Sequence, residues 1–215
     1  MLERLICVGI GYGFGLIQTG YLYGKTQKVD IRKMGSGNAG ATNALRTLGI
    51  KAGAITFFGD AFKCIFAVIL ACVIFRDSQR DILPTLTMYT GMGAVLGHNY
   101  PFYMGFKGGK GIAVTAGLIA STTNSWTVVL CIAVFAGTVA GTKYVSAGSL
   151  VVVVLYFISV VVLGQTGYYN VSGGPLYEIY AVAFLLVISA FFKHRANIKR
   201  LMNGTENKLS VGKKS

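Results

Sequence analysis

Five apolar segments, each long enough to cross a lipid bilayer, constrain the fold of this chain more than any other feature. They lie at about residues 5–23, 52–75, 84–104, 145–163 and 176–192. A helix that crosses the hydrocarbon core of a bilayer needs about 20 predominantly apolar residues. The sequence therefore predicts an all-α, multi-pass membrane protein. The first segment lacks a signal-peptide cleavage site, so we expect it to be retained as a span.

The composition agrees with a membrane location. Hydrophobic residues make up 53% of the 215 residues, charged residues only 13%, and the mean hydropathy is +0.61. Soluble domains carry about 25% charged residues, so we expect one helical bundle domain over residues 1–215. The formal net charge of +13 is divided into separate clusters between apolar segments. This pattern favours orientation in a membrane with anionic headgroups over nucleic-acid binding.

The cysteines do not indicate a metal site or a disulfide framework. Cys7, Cys64, Cys72 and Cys131 all lie within apolar segments, with no C-x-x-C spacing and no nearby histidine. Cysteines of this kind are small core residues. We therefore expect no bound metal and no cofactor.

Residues 112–142 are apolar at both ends but are interrupted at Thr122–Ser125. The positions of the Lys and Arg residues determine how many times this segment crosses the membrane. Six Lys or Arg residues in 24–51 and seven after residue 192, including Lys213 and Lys214, place both regions in the cytoplasm. The C-terminal tail reaches that side only if residues 112–142 cross an even number of times. We predict two short helices or a re-entrant hairpin there, hence seven transmembrane helices with the N-terminus outside and the C-terminus cytoplasmic.

The first of three polar blocks, residues 35–43, has the composition of a phosphate-binding turn. Its glycines permit positive φ, so that consecutive N–H groups can form an anion nest, and its side chains add donors. Arg46 falls on the same helical face as Thr42 and Asn43 and is suited to bind a phosphate through two hydrogen bonds. The alternative is an ordinary loop. The candidate residues are Gly35, Ser36, Gly37, Asn38, Gly40, Thr42, Asn43 and Arg46.

The second block, residues 105–111, resembles a nucleotide P-loop but does not match it. Gly111 follows Lys110 where Ser or Thr is required, and no strand precedes the block. Two ammonium groups on a flexible backbone remain, which suits an anion. The alternative is a loop that only anchors the protein on the cytoplasmic side. Such a loop needs the lysines but does not explain the glycines. The candidates are Lys107, Gly108, Gly109 and Lys110.

The third block follows the last apolar segment. His194, Asn197 and Leu201 share one face of a predicted helix, and we favour a catalytic or orienting role for His194 and Asn197 over simple capping. Ser146, at the start of the 145–163 segment, is a further candidate for phosphate binding. The predicted topology places all three blocks on the cytoplasmic face, where they would form one site for two anions.

Two other polar positions lie within predicted spans. Asp60 and Lys63, at i and i+3, are suited to form a buried ion pair, and ionisable groups inside a membrane are functional candidates. His98 lies near the end of the third span, where a structural and a functional role are about equally supported.

These motifs together resemble the bacterial acyl-phosphate-dependent glycerol-3-phosphate acyltransferases. The resemblance rests on residues 35–46, on the segment from His98 to Gly111 and on the segment from His194 to Glu206, three ordered motifs across most of the chain. There are small departures: Cys64 replaces a common glycine, and Met104–Gly105 replace bulkier or basic residues.

The resemblance implies a seven-helix enzyme of the bacterial inner membrane with its active site on the cytoplasmic side. It would transfer a fatty acyl group from acyl phosphate to the 1-hydroxyl of glycerol 3-phosphate, releasing 1-acylglycerol 3-phosphate and phosphate. By position, it assigns essential roles to Ser36, Arg46, His194 and Asn197, and glycerol-3-phosphate binding to the glycine-rich second motif with Lys107. The expected partners are the two substrates and membrane lipids, with no nucleic acid, and the chain is expected to be a monomer.

Other functions are less well supported. A transporter of anionic lipids would explain the break at residues 122–125, but no internal repeat is evident and the motifs lie at one face. A phosphatidyltransferase needs paired aspartates for a metal ion, which this sequence lacks.

Overall fold

The computed structural model describes residues 1–209, so Lys213 and Lys214 lie outside the described residues. This part of the chain is all-helical and contains no strand, which confirms the predicted all-α class. Short 3₁₀ turns occupy Ile31–Lys33, Arg80–Ile82 and Phe102–Met104. The α-helices are α1 (Leu2–Gly15), α2 (Thr19–Thr26), α3 (Ala41–Leu48), α4 (Ile50–Phe75), α5 (Leu83–Asn99), α6 (Ile112–Thr122), α7 (Ser125–Thr142), α8 (Val145–Gln165), α9 (Gly174–Lys193) and α10 (Arg195–Met202).

Five helical segments within residues 1–209 are long and apolar enough to cross a membrane. They are α1 together with α2, then α4, α7, α8 and α9. The shorter α5 has 17 residues and α6 has 11. The segment predicted at 84–104 is helical only to Asn99, because the chain turns at Tyr100–Pro101 into a 3₁₀ turn.

The predicted interruption of residues 112–142 is present, and its position follows from capping. Helix α6 ends at Thr122, and α7 begins three residues later at Ser125, where the Asn124 side chain accepts a hydrogen bond of 2.9 Å from the Thr127 N–H. An N-cap of this kind satisfies a backbone donor that the new helix leaves free. The polar break therefore separates a helix of 11 residues from one of 18.

Helices α1 and α5 pack with their backbones in contact. A Cβ added to Gly11 or Gly15 would meet backbone atoms of α5, and one added to Gly93 or Gly97 would meet those of α1. Small residues allow this close approach, which membrane helices use for association. The contact holds the C-terminal end of α5, and with it His98, against the first two helices.

A buried core joins α4, α5, α6, α8 and α9. At its centre Tyr156 is 1% exposed and its hydroxyl lies 3.0 Å from Thr122 Oγ1 and 3.3 Å from Met88 Sδ. On the outer side of α4 the rings of Phe58, Phe62 and Phe66 are exposed and stacked, an arrangement suited to lipid contact. The core fixes the rotation of the helices that carry the polar blocks.

Candidate active site

One cavity of about 450 Å³ is lined by residues from all three polar blocks. Most of its polar side chains come from α3 and the turn before it, the end of the second block, α8, and α10 with the residues on either side of it, while its apolar side chains come mainly from α4 and α7. The polar residues include Ser36, Asn38, Thr42, Asn43, Arg46, Lys110, Ser146, His194, Asn197, Arg200 and Glu206, and the apolar ones include Ile50, Phe57, Phe135 and Val139.

The first block forms its turn differently from the predicted anion nest. Gly35 and Gly37 have positive φ of 56° and 71°, as the sequence suggests, whereas Gly40 has an ordinary φ of −88°. The N–H groups of Ser36, Gly37 and Gly40 are all bound within the block: the Ser36 N–H donates to Asn43 Oδ1, the Gly37 N–H to the Met34 carbonyl and the Gly40 N–H to Asn38 Oδ1. They are therefore not free to bind an anion.

The Asn43 side chain also forms its hydrogen bonds within this turn. It is 1% exposed, and its amide nitrogen donates to the carbonyls of Ile31 and Met34, each at 3.0 Å. Both amide hydrogens are thus used, so Asn43 shapes the block and has no free donor for phosphate. The donors left include the Asn38 side-chain amide, the Ala41 and Thr42 N–H groups in the first turn of α3, which have no hydrogen-bond partner within residues 1–209, and the hydroxyls of Ser36 and Thr42.

Arg46 extends from α3 into the cavity. Its Nη2 donates to the carbonyls of Asn207 at 3.0 Å and Lys208 at 3.4 Å, while its buried Nε has no partner in the described part of the chain. Burial lowers the pKa of this guanidinium from its usual value, but arginine remains charged. An unpartnered charged donor beside a cavity is suited to bind an anionic oxygen.

The second block contributes one lysine to the cavity. Lys110 lines it, and its Nζ donates to Asn197 Oδ1 at 2.5 Å. Burial lowers the pKa of Lys110 to about 8. Lys107 is exposed and does not line the cavity, and the N–H groups of Gly108 and Gly109 bind the carbonyls of Asn99 and His98. The two glycines therefore allow close packing and do not present free donors.

The third block provides a buried imidazole. His194 is 3% exposed, and its Nδ1 lies 2.8 Å from the Ala190 carbonyl, so Nδ1 carries the hydrogen and Nε2 is left as an acceptor. Burial, and then the nearby Lys110 charge, lower the pKa of His194 to about 4. The ring is therefore neutral near pH 7.

Glu206 joins the polar residues of the cavity, and the sequence motifs alone did not single it out. Its Oε1 accepts from Asn197 Nδ2 at 2.7 Å and from the Ser146 hydroxyl at 3.2 Å, and its Oε2 accepts from Arg200 Nε at 2.7 Å. Ser146 therefore contacts this carboxylate, where the sequence suggested phosphate. One feature of the sequence could have identified it, because Glu206 is the sole acidic residue after Glu178.

A second polar cluster lies between α4 and α5. Lys63 Nζ is 2.8 Å from Asp60 Oδ1, 2.9 Å from His98 Nδ1 and 2.5 Å from the Ile17 carbonyl. Thr19 also donates to Asp60 Oδ1 at 3.0 Å. The Asp60–Lys63 pair considered from the sequence is thus formed, and Asp60 and His98 both line the cavity.

The lining indicates an amphiphilic, anionic ligand. Arg46, Lys110 and Arg200 supply three cations against the Glu206 carboxylate, while α4 and α7 supply aromatic and aliphatic side chains. Within residues 1–209 no group of three His, Cys, Asp or Glu side chains is placed to hold a metal ion. The arrangement is suited to bind phosphate groups and to hold an acyl chain beside them.

Comparison with known proteins agrees with this chemistry. Residues 5–204 match the family model described as glycerol-3-phosphate acyltransferase. The chain is 42% identical to the glycerol-3-phosphate acyltransferase of Clostridioides difficile (strain 630), over 99% of this chain and 98% of that protein. It is 38% identical to the protein of the same name from Halalkalibacterium halodurans, over 100% of this chain and 98% of that one.

Two crystal structures of one membrane enzyme have a similar fold. They are described as PlsY (YgiH), an integral membrane glycerol 3-phosphate acyltransferase, in a glycerol 3-phosphate form and a lysophosphatidic acid form. The first has a TM-score of 0.81 at 31% identity and covers 96% of both chains. The second has a TM-score of 0.78 at 31% identity and covers 95% of this chain and 94% of that one.

Proposed function

This chain belongs to the glycerol-3-phosphate acyltransferase family, and on that premise we propose that it transfers a fatty acyl group from acyl phosphate to glycerol 3-phosphate. The acceptor atom is the 1-hydroxyl oxygen of sn-glycerol 3-phosphate, and the products are 1-acylglycerol 3-phosphate and phosphate. This is the first acylation of phospholipid synthesis. The crystal structures of the similar enzyme, in forms with glycerol 3-phosphate and lysophosphatidic acid, support this acceptor and this product.

One observation supports the proposal most directly: a single cavity combines a cationic lining with an apolar one. The charges of Arg46 and Lys110 would offset the repulsion between two bound phosphate groups, and Phe57, Phe135 and Val139 would contact an acyl chain. An acyl phosphate is already activated, so the enzyme has only to align the hydroxyl with the carbonyl carbon and stabilise the developing charge.

We propose that the acyl group moves directly between the substrates. The 1-hydroxyl oxygen forms a bond to the acyl carbon, the bond from that carbon to the phosphate oxygen breaks, and the departing phosphate takes the hydroxyl proton. His194 Nε2 accepts from the attacking hydroxyl and orients it, with Asn197 and Ser36 positioned around it. The pKa of about 4 makes His194 a weak base, which supports proton transfer to phosphate. Trapping an acyl group on Ser36 during a single turnover would contradict this mechanism.

We further propose that the chain forms one domain over residues 1–215 and crosses the bacterial inner membrane seven times as a monomer. The short helices α5 and α6 would then be the two spans that complete the five longer ones. This topology keeps the basic segments 24–51 and 193–208 on the cytoplasmic side. It places the N-terminus outside and opens the cavity to the cytoplasm, where both substrates would enter.

The proposed donor can be tested with the purified full-length protein in detergent. Palmitoyl phosphate and palmitoyl-CoA are each supplied with glycerol 3-phosphate, and the lysophosphatidic acid formed is measured. We expect product from palmitoyl phosphate alone. Ser36→Ala should lower the rate, while the matched variant Ser172→Ala, at an exposed position away from the cavity, should match the unmodified protein. Product from palmitoyl-CoA alone would contradict the proposed donor, and no product without vesicles would favour a transporter.

A further inference from the structure

His98 is a buried cavity residue with one ring nitrogen that the protein does not use. The residue is 2% exposed and lines the cavity, and its Nδ1 is 2.9 Å from Lys63 Nζ. Its Nε2 has no hydrogen-bond partner within residues 1–209 and lies against Gly109, where any Cβ would collide with the ring. Buried polar groups in proteins are nearly always hydrogen-bonded, so an unused imidazole nitrogen beside a cavity points to a ligand.

The neighbours of the imidazole determine which nitrogen carries its hydrogen. Paired with the Asp60 carboxylate at 2.8 Å, Lys63 is assigned as an ammonium ion, which only donates. Its three hydrogens then have three acceptors: the Ile17 carbonyl, Asp60 Oδ1 and His98 Nδ1. His98 Nδ1 must therefore be an acceptor, and the ring hydrogen is on Nε2. The ring is then neutral, and Nε2–H is its one hydrogen-bond donor.

The surroundings of this donor favour an anionic oxygen. Lys110 follows Gly109 directly and lines the same cavity, and Arg46 has an unpartnered Nε there as well. Asp60 also lines the cavity, but its charge is balanced by Lys63 at 2.8 Å. The cavity that His98 lines therefore carries cations that attract phosphate.

We propose that His98 binds a phosphate oxygen of a substrate through its Nε2–H, and that Lys63, held by Asp60, keeps the ring in that tautomer. This inference rests on the proposed function, because it adds a binding residue to the same cavity. Both substrates of that reaction carry a terminal phosphate group, the acceptor as a phosphate ester and the donor as an acyl phosphate anhydride, and the test separates them.

The first test compares two amides at position 98 in the full-length enzyme. In His98→Asn the amide oxygen takes the place of Nδ1 toward Lys63, and nothing replaces Nε2–H. In His98→Gln the longer side chain returns an N–H to the Nε2 position. We expect His98→Asn to raise the KM for one phosphate substrate by about 10–100-fold, the range for a hydrogen bond to a charged group, with kcat changed less than about threefold. His98→Gln should recover most of that loss.

The matched control is Thr19→Val, which removes a hydrogen bond to Asp60 in the same cluster from a residue that does not line the cavity. It should leave both KM values unchanged. A higher KM for glycerol 3-phosphate assigns His98 to the acceptor, and a higher KM for acyl phosphate assigns it to the donor; either supports the proposal. Unchanged KM values in His98→Asn, or a fall in kcat with neither KM raised, would overturn it.

The second test needs no turnover, so it separates failure of this inference from failure of the proposed reaction. The sequence contains two histidines, His98 and His194, so the imidazole nitrogens of the purified protein can be labelled with an NMR-active nitrogen isotope and those of His98 assigned by their loss in His98→Asn. Nitrogen chemical shifts report which ring nitrogen carries the hydrogen. In phosphate-free buffer we expect the hydrogen on Nε2, and we expect glycerol 3-phosphate or acyl phosphate to shift the Nε2 signal, whereas glycerol should not. A hydrogen on Nδ1, or an Nε2 signal that no phosphate-bearing substrate shifts, would overturn the proposal.

Discussion

At the scale of single residues, Asn197 is central to the site because it connects two of the polar blocks. Its oxygen accepts from Lys110 and its nitrogen donates to Glu206, which in turn accepts from Ser146 and Arg200. A network of this kind rigidifies a site when every polar group has its hydrogen bonds. Loss of one member leaves buried polar groups without partners, which lowers the stability of the fold.

Replacing Asn197 by alanine should therefore impair both activity and stability. We expect kcat to fall by about 10²–10³-fold, the range for losing one positioned donor in an active site. The free energy of unfolding should fall by about 1–3 kcal/mol, because buried partners are left unsatisfied. Lysophosphatidic acid formation and thermal unfolding in detergent measure the two effects. Asn203→Ala, at an exposed position at the end of α10, is the control, and a kcat for Asn197→Ala within threefold of that control would contradict the prediction.

The pKa values of Lys110 and His194 predict the pH dependence of the free enzyme. Lys110 has a pKa lowered to about 8 by burial, so raising the pH through that value removes a positive charge from the cavity. We expect kcat/KM for glycerol 3-phosphate to decline above about pH 8 for that reason. His194, with a pKa lowered to about 4, stays neutral, so kcat/KM should show no additional change near pH 6.5.

The variant Lys110→Arg tests this assignment, since arginine remains charged at every accessible pH. Its kcat/KM should lose the decline near pH 8, even if its maximum is lower than that of the unmodified enzyme. A profile of kcat/KM from about pH 5 to about pH 10 measures the effect. If kcat/KM of Lys110→Arg still declines near pH 8, another group causes the decline.

At the scale of elements, the glycine contact between α1 and α5 positions the site from a distance. The contact carries the end of α5, where the His98 carbonyl accepts from Gln18 at 3.1 Å and the Tyr100 carbonyl from Tyr12 at 2.8 Å. The glycine-rich loop then packs directly on His98. The separation of two helices thus determines where Lys110 enters the cavity.

Two glycines of α1 give a matched pair for testing this contact. A Cβ at Gly11 would meet the Thr90 backbone of α5, whereas a Cβ at Gly13 meets nothing within 4 Å. We expect Gly11→Ala to lower the free energy of unfolding by about 1–3 kcal/mol, as overpacking does, and Gly13→Ala to change it by less than about 0.5 kcal/mol. Thermal unfolding in detergent measures both. Equal stability of the two variants would show that the contact is not energetically important.

At the scale of the whole molecule, the proposed function depends on topology. Residues from three blocks that are more than 50 positions apart line one cavity. Substrates reach all of them from the cytoplasm only if the seven proposed crossings are correct.

Cysteine labelling tests the topology with two exposed positions. Lys107 lies in the loop between α5 and α6, and Ser172 lies in the loop between α8 and α9. We expect Ser172→Cys to react with a membrane-impermeant maleimide in intact cells, and Lys107→Cys to react only after permeabilisation. The native cysteines are buried or half-buried, which keeps the background low. Reaction of Lys107→Cys in intact cells would contradict the topology.

The sequence by itself determined the helical membrane fold, the break at residues 122–125, the family and the segments that line the cavity. These depend on local properties, namely the length of apolar runs, the polarity of an interruption and the order of short motifs. Only the tertiary structure decided which groups face the cavity. It showed that Asn43 and the N–H groups of Ser36, Gly37 and Gly40 bind within their own turn, that Lys110 and not Lys107 enters the cavity, and that Glu206 and His98 join the lining. Such choices depend on the rotation and separation of packed helices, which are set by contacts between residues far apart in the chain.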